Sequence, residues 1–347
     1  MRRIFASAAI AGAALLALPV TAHAVEHAVE NDVHTVPLPF FWPRAELNSV
    51  ASDDAGGVWI AGGQGAYCVL WDFSCVLYSA GNPVVRRWTG SSWTEYPLNG
   101  WTGNGMIERV ATGAGQTWIG GGRGNFYEYL AVFDGASFQK VDRPSSASVG
   151  MLSTGPAGTW ITQPVSPDSD EPHLLRRDGD AWADMDLPDR RTGVNDLQAR
   201  TATDVWVAGS RRGADGTGRY PALLHFDGAS WTPAALPDLP GEQWLGLVRP
   251  AGENELWVAG AHHLAHRDGD GWTVIPGPEN LRIEDLAIDG SGTPWVTLGN
   301  HDLYRYAGGA WQPVALPAGG LFDITFAGPS TLWGVGYADG PAVMSDF

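Results

Sequence analysis

The chain has 347 residues, with 38 acidic side chains against 21 lysines and arginines, and a net charge of −17 with histidines neutral. So acidic a surface repels phosphate backbones and anionic lipids, which argues against nucleic-acid and membrane-surface roles and leaves cations, basic proteins and neutral sugars as partners. Forty-six glycines, 24 prolines and 17 tryptophans point to short strands and many turns.

Residues 1–24 read as a secretory signal peptide. Arg2 and Arg3 give a positive start, an apolar run extends from Ile4 to Pro19, and Ala22-His23-Ala24 is a small-x-small cleavage pattern. The run is shorter than the ~20 residues of a spanning helix. The expectation is a secreted chain, with residues 25–347 forming one domain and no membrane insertion after cleavage. Thr35-Val36-Pro37-Leu38-Pro39 follows as a strand with no repeat of its own.

From there the chain repeats. Trp59, Trp118, Trp160, Trp206, Trp257, Trp295 and Trp333 mark seven copies of one strand, with Trp-Ile/Val-x-Gly as the commonest form. Each copy is preceded by a Gly, Asp, Asn, Ser or Thr turn and, before that, an apolar strand. A second anchor lies downstream, as in Phe133-Asp134-Gly135-Ala136-Ser137-Phe138 and Phe226-Asp227-Gly228-Ala229-Ser230-Trp231. Asp-Gly supplies the positive φ of a tight hairpin, and the carboxylate can cap the turn's own amides. The fourth strand often stops at Leu-Pro, as at Leu187-Pro188, Leu236-Pro237 and Leu316-Pro317, which suits an outer edge.

Seven four-stranded antiparallel units of about 46 residues match the period of propeller blades. The fold predicted is therefore all-β, a seven-bladed β-propeller with its tryptophans buried between neighbouring sheets. The last unit stops at its third strand, Ala342-Val343-Met344-Ser345-Asp346-Phe347. The N-terminal strand is expected to supply the missing fourth and close the ring, as a monomer.

The Asp-Gly-x-x-Trp hairpins and Gly-x-x-Trp-Ile/Val-x-Gly strands resemble the propeller repeats of bacterial two-component-regulator sensor domains, over essentially the whole mature chain. More loosely they resemble the Asp-box repeats of sialidase-like proteins. The Asp-box pattern, however, has one residue between Asp and Gly, which are adjacent here, and no arginine triad can be placed by spacing. The layout is also similar to that of secreted seven-bladed lyases of the streptogramin type, whose catalytic motif is not present. These resemblances concern scaffold positions, and a fold does not carry a function.

Propeller topology puts the loops between second and third strands on one face, at the channel mouth. Four of these are long and fall on consecutive blades: residues 63–83, 122–128, 163–172 and 210–221. Length on one face suggests a binding surface. Tyr67, Trp71, Phe73 and Tyr78 make the first insertion aromatic, and Trp101 and Trp244 join them as candidate binding residues for a protein or carbohydrate. Cys68 and Cys75, an even pair in an exported chain, are expected to form a disulfide inside that insertion. Inner-strand carboxylates should converge on the axis, where Asp196, Asp285 and Asp323 could hold Ca or Mg. His263 and His301 lie in turns on the same face, with Glu284 and Asp285 near enough to serve acid/base chemistry.

Two functions follow: an extracellular binding module recognising a protein or glycan, or a metal-assisted lyase or hydrolase at the channel mouth. No Gly-x-Ser-x-Gly, His-Glu-x-x-His or phosphate-cradling motif is found, and the binding reading is preferred.

Overall fold

The computed structural model describes residues 33–347, apart from 72–73, 80, 124–125, 165–171 and 214; for residues 70–71, 74–78, 126–127 and 172 it describes the backbone alone. The proposed leader, residues 1–24, lies outside the described residues. Seven antiparallel sheets follow one another around a central channel, and the chain is a seven-bladed β-propeller. The inner strands are Glu46–Ser52, Met106–Gly113, Leu152–Gly155, Thr192–Thr201, Leu247–Pro250, Ile283–Ile288 and Gly320–Ala327.

Seven tryptophan strands give seven cores. Each apolar cluster lies between two consecutive blades rather than within one. Trp59 of blade one packs with Ile107 and Ile119 of blade two, and Trp206 of blade four with Val248 and Val258 of blade five. The sequence repeat thus repeats an interface. Across the sheet, five of the seven indoles face an arginine or histidine in register: Arg87, Arg176, His225, His266 and Arg305 lie opposite Trp59, Trp160, Trp206, Trp257 and Trp295. His266 stacks on Trp257 at 3.8 Å and His225 on Trp206 at 4.3 Å between ring centroids, so both serve packing.

The ring closes as the repeat count requires. His34 and Thr35 pair antiparallel with Ser345 and Met344, and Val36 N–H donates to Val343 O at 2.8 Å. Pairing stops there because Pro37 has no N–H to offer. The buried Val36 side chain then joins the core between blades seven and one. One sheet departs from the four-strand plan: Leu98–Asn99, leaving blade one, adds in parallel to Phe138–Lys140 as a fifth strand of blade two.

Candidate functional site

The inner strands explain how the channel acquires its lining. In blades one, two, four, six and seven the pairing between inner strand and tryptophan strand slips by one residue at the same level, next to Leu47/Ser49, Ile107/Arg109, Val194/Asp196, Ile283/Asp285 and Leu321/Asp323. A β-bulge of this kind leaves an extra, unpaired residue and re-aims side chains. In four of these blades the glycine three residues after the tryptophan makes room for it. A Cβ on Gly62 would lie 1.9 Å from Glu46 O, and one on Gly209 2.0 Å from Gly193 O. At Gly62, Gly121, Gly209 and Gly336 the glycine thus leaves space for the bulged strand, whereas Gly260 of blade five lies against the Glu242 carboxylate and blade six carries Leu298 in that position.

The extra residue of each bulge lines the channel: Asn48, Glu108, Asn195, Glu284 and Phe322. In blades three and five the inner strands begin just past this level, and Gly150 and Gly246, whose N–H groups donate to Thr162 O and Ala259 O, complete a seven-membered ring at the mouth. Neighbours in this ring touch, since Asn48 Nδ2 donates to Glu108 Oε2 at 3.1 Å. Burial and the nearby Glu46 push the Glu108 carboxyl above the usual range, and Arg109 works against that rise. Arg282 Nε lies 3.4 Å from Glu284. Mouth included, the channel has a volume of about 1300 Å³.

In blades one, four, six and seven the residue after the bulge does something else: it ties its blade to a neighbouring one. Ser49 Oγ accepts from Val110 N–H, Asp196 Oδ2 from Val248 N–H, Asp285 Oδ2 from Ile324 N–H and Asp323 Oδ2 from Val50 N–H, at 2.8–3.2 Å. Arg249 joins two of these carboxylates, with Nη1 at 2.5 Å from Asp196 and Nη2 at 3.2 Å from Asp285. Asp323 has no such cation in contact. Burial first, and then the adjacent Asp285, push its carboxyl up to about 8. The three aspartates suggested for Ca or Mg therefore hold backbone amides and a guanidinium, and among the described residues no group of three or more potential ligands is arranged to hold a metal ion.

The four residues suggested for acid/base work occupy three settings. Glu284 and Asp285 line the channel. His263 Nδ1 lies 3.1 Å from Glu242 Oε1, and the buried Glu242 also accepts from Ala261 N–H at 2.7 Å and His262 N–H at 2.6 Å. Glu242 caps this turn, a role that the sequence repeat does not signal. His301 packs edge-on against Phe322 at 4.7 Å, and Phe322 stacks with Tyr337 at 5.6 Å. No described contact joins either histidine to Glu284 or Asp285.

Of the binding candidates, Trp244 lines the channel, while Trp101 packs edge-on against Tyr129 in the core between blades one and two. Tyr67 is 47% exposed. The side chains of Trp71 and Tyr78, and the whole of Phe73, lie outside the described residues. The first insertion forms a two-stranded ribbon, Tyr67–Trp71 with Ser74–Ser79. Its backbone carries Cys68 on one strand and Cys75 on the other, whose side chain is also outside the description. Beside the ribbon stand two aromatics that the repeat analysis passed over because they belong to no repeat: Phe40, 73% exposed, and Trp42, 61% exposed, in edge-to-face contact at 5.6 Å. Trp42 N–H donates to Gln64 Oε1 at the root of the ribbon. The Phe40-Phe41-Trp42 run was the available signal.

No family model and no curated protein matches the chain. Solved structures similar to it include a catalytically inactive virginiamycin B lyase from Staphylococcus aureus, solved with quinupristin (TM-score 0.63, 14% identity, 90% of this chain and 98% of that one). YCF48 from Cyanidioschyzon merolae is similar at TM-score 0.57 and 13% identity, over 90% and 98% of the two chains, and has also been solved bound to the D1 peptide. The extracellular domain of the hybrid two-component system BT4673 from B. thetaiotaomicron is similar at TM-score 0.59 and 13% identity, over 90% of this chain and 39% of that one. At these identities the likeness establishes the propeller fold alone.

Proposed function

We propose that the chain is an exported, extracellular recognition module that binds a protein through the loop face of blade one. The observation that carries this reading is the set of exposed apolar side chains on blade one: Phe40 and Trp42 in contact with each other, and Tyr67 and the 50% exposed Val69 two residues apart on one strand of the ribbon. Large apolar side chains gathered in the open on a soluble domain mark an interaction surface, and aromatic residues are the usual anchors of protein interfaces. The ribbon adds a two-stranded sheet whose outer edges have no further strand among the described residues, a template for an extended partner segment. A disulfide between Cys68 and Cys75 would hold the ribbon in one shape and lower the entropy cost of binding. The peptide complex of the similarly folded YCF48 is in keeping with a protein ligand, and the leader read at residues 1–24 with an extracellular one.

The test is affinity capture from the native secretome with the mature chain, a Phe40→Ala/Trp42→Ala double variant, and a variant with residues 67–79 replaced by a short Gly-Ser turn. The reading expects a partner held by the parent and lost by both variants. Identical capture by all three proteins would end it.

A further inference from the structure

A different surface carries a second kind of binding. The ring at the channel mouth is made of two amides, two carboxylates, one phenyl ring and two glycines, so it mixes hydrogen-bonding groups with open space. Phe322 is the exception among the bulge residues, and it is not alone: with His301 and Tyr337 it forms a three-ring cluster at the rim, where Tyr337 remains 42% exposed. Blade seven lies between blades six and one, so Phe322 stands between Glu284 and Asn48.

We propose that this mouth is a binding site for a short neutral oligosaccharide, one sugar ring stacking on the Phe322–Tyr337 pair while hydroxyls bond to Asn48, Glu108, Asn195 and Glu284.

The chemistry argues for a sugar on three counts. A pyranose presents a face of C–H bonds to the negative face of an aromatic ring and hydroxyls along its edge, each of which can donate and accept. Amides and carboxylates at one level supply both kinds of partner: Asn195 Nδ2 donates to Leu245 O, which leaves its Oδ1 to accept, and Glu108 uses one oxygen on Asn48. The two ring carboxylates also sit next to arginines in the chain, Glu108 beside Arg109 and Glu284 near Arg282. That local balance disfavours both a phosphate and a polycation. The channel is also large enough, since sites for drug-sized ligands occupy about 300–1,000 Å³.

Isothermal titration calorimetry of the mature chain with maltotetraose, cellotetraose, mannotetraose and N-acetylchitotetraose tests this, with tetra-arginine and inorganic phosphate as charged controls. At least one tetrasaccharide should bind saturably, and Phe322→Ala should weaken it roughly tenfold or more. Gly246→Gln is the second variant. The nearest atom to a Cβ there is Ala259 O at 3.8 Å, so the blade accepts a side chain that then fills the mouth, and binding should again fall. Trp42→Ala, on the proposed protein-binding surface, should leave sugar binding unchanged, so the two readings fail independently. The proposal is overturned if no tetrasaccharide binds, if only a charged control does, or if Gly246→Gln binds as the parent does.

Discussion

Replacing Asp323 with asparagine should change how stability depends on pH while leaving the fold intact. Asp323 Oδ2 accepts Val50 N–H across the closing interface of the ring, and burial together with Asp285 lifts its carboxyl from 3.8 to about 8. A carboxyl raised in the folded state holds a proton that the unfolded chain releases, so its contribution to stability is full below about 4 and is lost as pH climbs to about 8. At ~1.4 kcal/mol per unit the ceiling of this loss is about 6 kcal/mol. Side-chain relaxation and solvent screening along the channel reduce this, and the expected loss is about 2–3 kcal/mol. Asparagine keeps an acceptor for Val50 and turns an N–H₂ toward Asp285, as the protonated acid does with its O–H. Urea unfolding at intervals from pH 5 to 9 measures the difference. The variant should match the parent within about 1 kcal/mol at pH 5 and exceed it by about 2 kcal/mol at pH 9. Parallel curves for the two proteins would refute the assignment of the raised carboxyl to Asp323.

Other perturbations read other parts of the scaffold. Arg249→Met leaves Asp196 and Asp285 facing one another's blades without their shared cation; unfolding should show a loss of about 3–5 kcal/mol. Gly62→Ala drives a methyl against Glu46 O and should cost about 1–3 kcal/mol, whereas Gly246→Ala should be neutral within about 0.5 kcal/mol. Val36→Asp puts a carboxylate into the core between blades seven and one; a lowered melting temperature with faster proteolysis of the N-terminal segment is expected. Trp257→Ala removes a buried indole and the platform for His266 and should cost about 3–5 kcal/mol.

What could be read from the sequence followed the physics of repetition. Seven tryptophans at blade spacing imply seven interfaces, and an unfinished last repeat beside an orphan first strand implies closure; pairing of His34–Thr35 with Met344–Ser345 bears this out. The bulges were hidden because the inner strands carry no invariant anchor against which one extra residue could be counted, although in four blades the glycine of Trp-x-x-Gly stands against the bulged strand. Asp196, Asp285 and Asp323 line the channel, yet their partners are backbone amides and an arginine on other blades, which no linear spacing displays. His263 reads as a turn residue near Glu284 and Asp285, while its partner Glu242 sits 21 residues earlier in an irregular link. Phe40 and Trp42 were overlooked for the opposite reason: they lie outside every repeat, where periodicity has nothing to say.

The seam of the ring has an implication for biogenesis. The strand that completes the seventh sheet is made first, and the three it joins are made last. A ribosome halfway along the message therefore holds an arc with a bare margin at each end, and bare margins invite pairing with other chains. A route that keeps the chain unfolded until release, or a chaperone that shields the leading segment until Val343 arrives, would spare the arc that hazard. Nascent chains stalled before the final sheet should accordingly aggregate far more readily than finished ones.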